Sequence, residues 1–438
     1  MKTLLPIICT FLFAFANAQS AQDSLEQALY NLPDVSFTKL SKPGDKYLQY
    51  ALTIKQPLDH QHPERGFFYQ RIKLTHKGFD KPTVMETEGY WLWNGGTGNE
   101  LEQILDANNL DVEYRFYGKS LPDSMNWQYL TLEQATADYH KINELFKTIY
   151  KNKWISTGIS KGGETTIYYK YFYPDDVDLS VPYVAPLDNS LEDKRIYHFF
   201  DTIGTEACRK KIYDFQVFLL QHEPEITDKL KWYSQGAGLH YTYTGSVEKS
   251  FEYCVLEFSF SFWQYNGKCD SIPTNKDVET YLKFLLANDD IWSFADEGIK
   301  AYEAHYYQAQ TQSGYYSYNI EPFKKYLHYF TSNPSSIFPP KSAVITKYDS
   351  MLNVNVQNWL ADKGNNILYI YGGFDTWTSA GVIPTDKVNS KRYVVPNTSH
   401  ATARIKNMPA DMQTDFVQKI KEITGLDANV SVLKKKDD

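Results

Sequence analysis

The segment Thr157–Gly163 contains a pattern that nucleophilic catalysis uses. It reads Thr-Gly-Ile-Ser-Lys-Gly-Gly, so Ser160 stands in the motif Gly-x-Ser-x-Gly with a further glycine behind it. Between a strand and a helix, this motif forms a sharp turn that lifts the serine hydroxyl clear of the sheet. The glycines let the strand and the helix pack closely, and the first N–H groups of the helix face a developing oxyanion.

The flanking residues support the same turn. Lys153–Ser156 is a short, partly apolar run that is typical of a buried strand, and Glu164–Tyr173 is long enough for a helix that ends before Pro174. A motif of this length arises by chance, but a strand before it and a helix after it favour a nucleophile at Ser160.

Two further residues complete the set that a serine nucleophile needs. In folds with this turn, the partners follow in the order Ser, then Asp or Glu, then His. Asp375 comes directly after the apolar run Asn365–Tyr371, and His400 follows the run Lys391–Val395. We expect His400 to take the serine proton and Asp375 to fix the imidazole. The alternatives are a turn residue at Asp375 and a capping or surface histidine at His400.

Other segments match one family in chain order. They are Gln56–His60 with Phe68–Arg71, Glu113–Pro122, Tyr129–Ala135 and Phe262–Tyr265. Together with Gly373–Trp377 and Ser399–His400, they resemble the secreted tripeptidyl aminopeptidases, serine peptidases related to lysosomal prolyl carboxypeptidase and to dipeptidyl peptidases. Lys161 stands where the carboxypeptidase branch has tyrosine, and Tyr114 where it has histidine, so the resemblance favours the tripeptidyl aminopeptidase branch.

The resemblance implies both a fold and an activity. The fold would be α/β, an α/β-hydrolase with a large, mainly helical cap insertion. The activity would be that of a secreted serine exopeptidase that releases short peptides, tripeptides in particular and with proline as a plausible last residue, from free N-termini through an acyl-enzyme. A lipase or esterase of the same fold is the first alternative. The second is a non-catalytic glycan-binding protein, which the aromatic content of 16% with 35 tyrosines keeps open.

The chain divides into four predicted parts. Residues 1–18 are a signal peptide, 47–187 and 348–438 are the two parts of the hydrolase domain, and 188–347 are the inserted cap. Within these parts we expect strands at Phe67–Leu74, Thr83–Glu86 and Asp111–Arg115, and helices at Thr131–Tyr150 and Ala410–Thr424.

The N-terminus predicts export. A basic start, an apolar run from Leu4 to Phe15 and the Ala16–Ala18 cleavage pattern are typical of a secretory signal peptide. We therefore expect a periplasmic or extracellular protein with no membrane segment after cleavage. A lipoprotein with Cys9 as its anchor is the alternative. Among the remaining cysteines, which are Cys208, Cys254 and Cys269, we expect one disulfide.

The expected partners are peptide substrates, as the resemblance implies. A net charge of -8 argues against nucleic acid. No His-Glu-x-x-His or comparable metal spacing occurs, and triad chemistry needs no cofactor, so we expect neither a metal nor a cofactor. The sequence does not indicate an oligomeric state.

Further residues follow from the expected chemistry. The backbone N–H groups of Lys161 and Tyr90 would stabilise the oxyanion, with the Tyr117 hydroxyl as the rival of Tyr90. An aminopeptidase also needs a carboxylate for the substrate ammonium. Its candidates are Glu113, Glu86, Glu88 and Glu257. The aromatic walls of the substrate pocket would be Phe262, Trp263 and Trp377.

Overall fold

The computed structural model describes residues 22–92 and 99–433 of the chain. The predicted signal peptide lies outside these residues, so its prediction stays open. None of the helices that the structure describes has the length and the apolar character to cross a bilayer.

A nine-stranded mixed sheet forms the centre of the molecule. Its strands are β1 (Val35–Lys39), β2 (Leu48–Pro57), β3 (Phe67–His76), β4 (Thr83–Thr87), β5 (Asn108–Val112), β6 (Trp154–Ile159), β7 (Leu179–Tyr183), β8 (Leu368–Gly372) and β9 (Lys391–Val395). The spatial order is β1-β2-β3-β5-β4-β6-β7-β8-β9. The pairs from β1 to β5 are antiparallel, and those from β5 through β9 are parallel. Because β1 belongs to the sheet, the sheet starts before residue 47.

Thirteen α-helices accompany the sheet in the described part of the chain. They are α1 (22–30), α2 (Glu100–Ile104), α3 (Leu132–Lys147), α4 (Lys161–Phe172), α5 (Arg195–Thr202), α6 (Glu206–Gln221), α7 (Glu223–Ala237), α8 (Val247–Gln264), α9 (Val278–Asn288), α10 (Asp296–Ala301), α11 (Glu303–Gln308), α12 (Leu352–Asp362) and α13 (Ala410–Thr424).

Helices cover both faces of the parallel part, as an apolar sheet of this kind requires. In β8, Tyr369 packs with Val356 of α12 and with α4, while Ile370 packs on the opposite face with Phe416 of α13. The carboxyl ends of the parallel strands meet at one edge of the sheet, which is where ligands bind in such folds. The loops that carry Tyr90, Ser160, Asp375 and His400 all leave the sheet at this edge.

The cap lies between β7 and β8 and contains α5 to α11. Its core is rich in aromatic side chains from α6, α8 and α9, among them Phe215, Phe258 and Tyr281. A disulfide joins Cys208 to Cys269, and Cys254 is a buried thiol. The α/β-hydrolase fold with a helical insertion is thus confirmed, as is a single disulfide. The exact domain boundaries stay predictions.

One predicted strand is wrong. The expected strand Asp111–Arg115 instead ends at Val112, and the chain then turns, with Phe116 at φ 67°. After this turn, the Arg115 guanidinium donates hydrogen bonds to both carboxylate oxygens of Asp138, each at 2.7 Å, and to the Tyr129 carbonyl oxygen at 2.6 Å. Burial opposes ionisation of Asp138, but the Arg115 charge and hydrogen bonds hold its pKa below the usual value.

This buried pair should be one of the main supports of the fold. We expect Arg115→Met to lower the free energy of unfolding by about 3–5 kcal/mol, because it leaves the buried Asp138 carboxylate without its cation and with only the His60 ring, 2.7 Å away, as a side-chain partner. The matched control is Arg65→Met, since Arg65 pairs with Asp59 at 2.9 Å but is about half exposed. That variant should lose under about 1 kcal/mol. Urea unfolding measures both, and equal losses would contradict the expectation.

Candidate active site

Ser160 lies in the turn between β6 and α4 in a strained backbone conformation, with φ 59° and ψ −122°. A residue other than glycine adopts such angles only where the surroundings hold it there. The Ser160 N–H donates to the Tyr183 carbonyl oxygen at 2.9 Å, and the Ser160 carbonyl oxygen accepts from the Glu164 N–H at 2.8 Å. The turn is therefore fixed on one side by β7 and on the other by the first turn of α4.

Three glycines leave room for this turn. A Cβ on Gly158 would lie 2.2 Å from the Gly162 carbonyl oxygen, and one on Gly162 would lie 2.6 Å from the Thr87 carbonyl oxygen. A Cβ on Gly163 would lie 2.7 Å from the Tyr183 carbonyl oxygen. These neighbours are backbone atoms that cannot move aside cheaply, so the close approach of β4, β6, β7 and α4 depends on all three glycines.

Asp375 and His400 meet in the loops after β8 and β9. Asp375 Oδ2 accepts from His400 Nδ1 at 2.9 Å, and Asp375 Oδ1 accepts from the Trp377 N–H at 3.2 Å. Asp375 is completely buried. The His400 N–H donates to the carbonyl oxygen of Gln264 at the end of α8, at 3.1 Å. The histidine loop is thus held by the cap as well as by the sheet.

The second ring nitrogen of His400, Nε2, has no hydrogen-bond partner in the described part of the chain. This nitrogen is buried, and Ser160 lines the same cavity as His400. Because Nδ1 donates to a carboxylate, the neutral imidazole has its lone pair on Nε2. A base of this kind often reaches its nucleophile only when substrate tightens the site.

The predicted oxyanion donors lie in one neighbourhood. Lys161 is the first residue of α4, so its N–H has no acceptor within the helix. The loop after β4 passes directly over it, since a Cβ on Gly89 would lie 2.7 Å from the Gly162 nitrogen. Tyr90 follows in this loop and lines the cavity. The Tyr117 hydroxyl, the rival of Tyr90, instead accepts from the His305 N–H at 2.9 Å, and Tyr117 is not a cavity residue.

The cavity that contains Ser160 and His400 has a volume of about 1270 Å³ and is lined by both the sheet edge and the cap. Typical small-molecule cavities measure about 300–1,000 Å³, so this one has room for several residues of a peptide. Aromatic rings cover much of its wall, in particular Tyr90, Tyr265, Tyr302, Tyr306, Tyr315 and Trp377.

Only one of the three predicted aromatic wall residues faces this cavity. Trp377 lines it, whereas Phe262 and Trp263 do not. Phe262 is completely buried in the cap core, and Trp263 packs against Phe374 with ring centroids 5.7 Å apart. The structure thus corrects the prediction for these two side chains, which belong to the cap core.

The cap tyrosines that do line the cavity were not predicted. The only sequence signal for them is the tyrosine-rich composition around residues 302–318. That signal does not indicate which rings face inward.

The structure also corrects the prediction that Glu113 is an anchor candidate, because its carboxylate already accepts hydrogen bonds around the turn after β5. It accepts from the Ser120 hydroxyl at 2.7 Å, the Lys119 N–H at 3.0 Å and the Leu92 N–H at 3.2 Å, and it does not line the cavity. Its role is to hold the turn after β5.

Glu257 on α8 is a buried carboxylate that does line the cavity. It accepts from the Tyr316 hydroxyl at 2.9 Å and the Ser261 hydroxyl at 3.3 Å. Burial raises its pKa to about 7. Burial and the Glu257 charge raise the pKa of the neighbouring Asp289 well above its usual value, and Asp289 Oδ2 has no hydrogen-bond partner in the described part of the chain. Sequence reasoning missed Asp289, which follows α9.

Glu86 and Glu88 line the opposite end of the cavity, near the sheet. Burial raises the pKa of Glu88 well above its usual value, and the nearby charges of Asp111 and Glu86 add to that effect. The cavity therefore has one acidic end on the sheet and another in the cap.

Comparisons with known proteins identify the family of this chain. The family model described as PS-10 peptidase S37 matches residues 18–431. The chain is 33% identical to the prolyl tri/tetrapeptidyl aminopeptidase of Streptomyces mobaraensis over 370 residues, which are 83% of this chain and 76% of that protein. It is 32% identical to the bovine lysosomal Pro-X carboxypeptidase over 155 residues, which cover 27% of this chain and 31% of that protein.

A solved structure, the proline iminopeptidase of Mycobacterium smegmatis, aligns with 13% identity and a TM-score of 0.39 over 89% of this chain and 99% of that one. The match to the family model extends over nearly the whole chain, and the similarity to the Streptomyces protein covers most of both chains. The chain belongs to the peptidase S37 family and is a serine peptidase.

Proposed function

We propose that Ser160, His400 and Asp375 are the catalytic triad of this peptidase. The Ser160 hydroxyl attacks the scissile carbonyl carbon, His400 Nε2 takes the hydroxyl proton, and the carbonyl oxygen becomes an oxyanion. The N–H groups of Lys161 and Tyr90 stabilise that charge. His400 then gives its proton to the leaving amine, and a water molecule hydrolyses the acyl-enzyme by the same route. The observation that carries this assignment is the buried Asp375–His400 pair, which leaves His400 Nε2 without a partner among the described residues. His400 lines the same cavity as Ser160, whose backbone is strained.

The substrate in this proposal is a peptide with a free N-terminus. Tri- or tetrapeptides would be released, with proline as the last residue of the fragment. The support is the similarity to the Streptomyces prolyl tri/tetrapeptidyl aminopeptidase together with a cavity that is lined by both sheet and cap. Family membership also favours a peptidase over the esterase and glycan-binding alternatives.

The Glu257–Asp289 pair is the proposed anchor for the substrate ammonium. Burial raises the pKa of both carboxylates, and the Glu257 charge raises that of Asp289 further, so the two are not both ionised without a cation near them. An ammonium would replace the proton that the pair holds, so it would not be buried unpaired. The unpartnered Asp289 Oδ2 supplies an acceptor for it.

Glu88 is less suitable as the anchor because of its position in the chain. It directly precedes the Gly89–Tyr90 loop, which packs on Lys161. An extended tripeptide spans about 10 Å at about 3.3–3.6 Å per residue, so its ammonium should lie well away from the oxyanion donors. Glu257 on α8 and Asp289 after α9 belong to the cap and not to the loop that carries the proposed donor.

Export to the periplasm or the cell exterior is part of the proposal. It is supported by the N-terminal sequence pattern and by the Cys208–Cys269 disulfide, because disulfides persist in oxidising compartments.

Substitution of the triad tests the catalytic assignment. Asp375→Asn should lower kcat by about 10⁴-fold while the fold is kept, because the imidazole then takes the wrong tautomer. Ser160→Ala should abolish both peptide cleavage and labelling by a fluorophosphonate. The control is Asp386→Asn, a change outside the cavity that should leave kcat unaltered. A loss under tenfold at Asp375, or labelling of Ser160→Ala, would refute the assignment.

The anchor is tested with one peptide in free and N-acetylated form. Wild type should release the N-terminal fragment only from the free form. Glu257→Gln should raise KM for that peptide by about 10- to 100-fold, since a charge-assisted hydrogen bond contributes about 1.5–3 kcal/mol. Glu248→Gln, on the same helix but paired with Lys231 at 2.9 Å, is the control. Equal cleavage of the acetylated peptide would overturn the aminopeptidase proposal.

The same anchor predicts a pH dependence. Glu257 binds an ammonium only when it is ionised, and its pKa is raised to about 7. The ratio of kcat/KM for wild type to that for Glu257→Gln should therefore rise with pH up to about 7 and then level off. Groups that titrate alike in both enzymes cancel in this ratio. A ratio that stays constant between pH 5 and 7 would show that Glu257 does not titrate in substrate binding.

A further inference from the structure

His305 on α11 is a buried polar side chain without hydrogen bonds. It is 6% exposed, and neither Nδ1 nor Nε2 has a partner among the described residues. It lines the cavity that contains Ser160. A buried donor or acceptor without a partner costs about 1–3 kcal/mol, so a histidine that keeps two of them needs an explanation.

The ring of His305 is held firmly in place. It meets the Tyr315 ring at 76° with centroids 4.8 Å apart and the Tyr90 ring at 69° with centroids 6.0 Å apart. The backbone N–H of His305 donates to the Tyr117 hydroxyl at 2.9 Å. The ring therefore cannot turn away to find partners, and its nitrogens stay available to whatever enters the cavity.

Lys161 gives this region its charge. Its ammonium is buried, lies 3.6 Å from Glu164 Oε2 and 5.2 Å from the centroid of Tyr114, and makes no hydrogen bond with the described residues. Burial lowers the pKa of His305 well below its usual value, and the Lys161 charge lowers it further. The imidazole is therefore neutral at physiological pH and presents one N–H and one lone pair.

A peptide main chain is complementary to such a group, because the carbonyl oxygens of a bound peptide need donors that replace water. The position also fits. Tyr90, the proposed oxyanion donor, is in ring contact with His305. Since one extended residue spans about 3.3–3.6 Å, a side chain packed against the ring of Tyr90 is placed to meet a peptide unit near the scissile bond.

We propose that His305 is a substrate-binding residue that donates a hydrogen bond to the carbonyl oxygen of the P2 residue. P2 precedes P1, the residue whose carbonyl carbon Ser160 attacks. This inference rests on the proposed function, because it places the acyl part of the peptide against the cap. Specificity then depends on the main chain at P2 and not only on the side chain at P1. A peptide that cannot offer this carbonyl would lose the contact.

The test is a double-mutant cycle in which one change is made in the enzyme and the other in the substrate. One tripeptide-releasing substrate is compared with an analogue in which an (E)-alkene replaces the amide between P2 and P1. His305→Phe keeps an aromatic ring and removes both nitrogens, and His222→Phe, outside the cavity, is the matched control. We expect kcat/KM on the normal substrate to fall about 10- to 100-fold in His305→Phe. For wild type, kcat/KM should fall by a similar factor when the alkene analogue replaces the normal substrate. For His305→Phe, the same change of substrate should lower kcat/KM little further.

Stability gives an independent readout. Because His305→Phe removes two unpartnered buried polar atoms, its unfolding temperature should equal or exceed that of wild type. If the ring substitution nevertheless prevents folding, His305→Asn, which keeps a donor and an acceptor, replaces it and should retain part of the activity.

The outcomes separate the two proposals. Failure of wild type to release an N-terminal fragment from the normal peptide would overturn the proposed function. If wild type releases it, two results would overturn the role of His305 alone. One is a kcat/KM of His305→Phe within twofold of wild type. The other is that the enzyme change and the alkene change lower kcat/KM by independent factors that multiply when both are present. His305 would then contact only buried water.

Discussion

The active site depends on one backbone constraint, the close approach of three strands and one helix around Ser160. The glycines at 158, 162 and 163 leave no space for a Cβ between the turn and the neighbouring carbonyl oxygens. This contact sets the position of the serine, the exposure of the Lys161 N–H and the path of the loop that carries Tyr90. A side chain at any of the three glycines would separate these groups, because the atoms it would meet are backbone atoms of the sheet and the helix.

The second constraint is electrostatic. Lys161 and Glu164 form a buried pair beneath the nucleophile, and burial lowers the pKa of Lys161 while it raises that of Glu164. Replacing such a pair with apolar residues is often neutral or stabilising, so stability alone does not account for it. The pair adjoins the cavity, and the Lys161 charge adds to the burial that lowers the pKa of His305. We infer that this pair contributes to the electrostatics of the cavity, as Glu257 and Asp289 do in the cap.

The sequence predicted what depends on local pattern. Ser160, Asp375 and His400 each follow a strand, and the parallel sheet brings the ends of those strands together, so order along the chain was enough to find them. The helix Ala410–Thr424 was predicted with its observed bounds because an apolar stripe and a terminal glycine mark it. The strand Asp111–Arg115 failed because a buried ion pair at Arg115, made with a residue of α3, overrides the local preference for strand.

The remaining misses share a different cause. Phe262 and Trp263 were chosen as apolar walls, but a helix such as α8 turns adjacent residues in different directions, and these two point into the cap core. Glu257, one turn or more earlier on the same helix, faces the cavity. Residue type does not reveal which face of a cap helix meets the catalytic domain, because that depends on how the inserted helices dock. The proposed triad is thus readable from sequence. Glu257 was one of four candidate carboxylates that the sequence could not choose between, and Asp289 and His305 become visible only when the cap is seen in place.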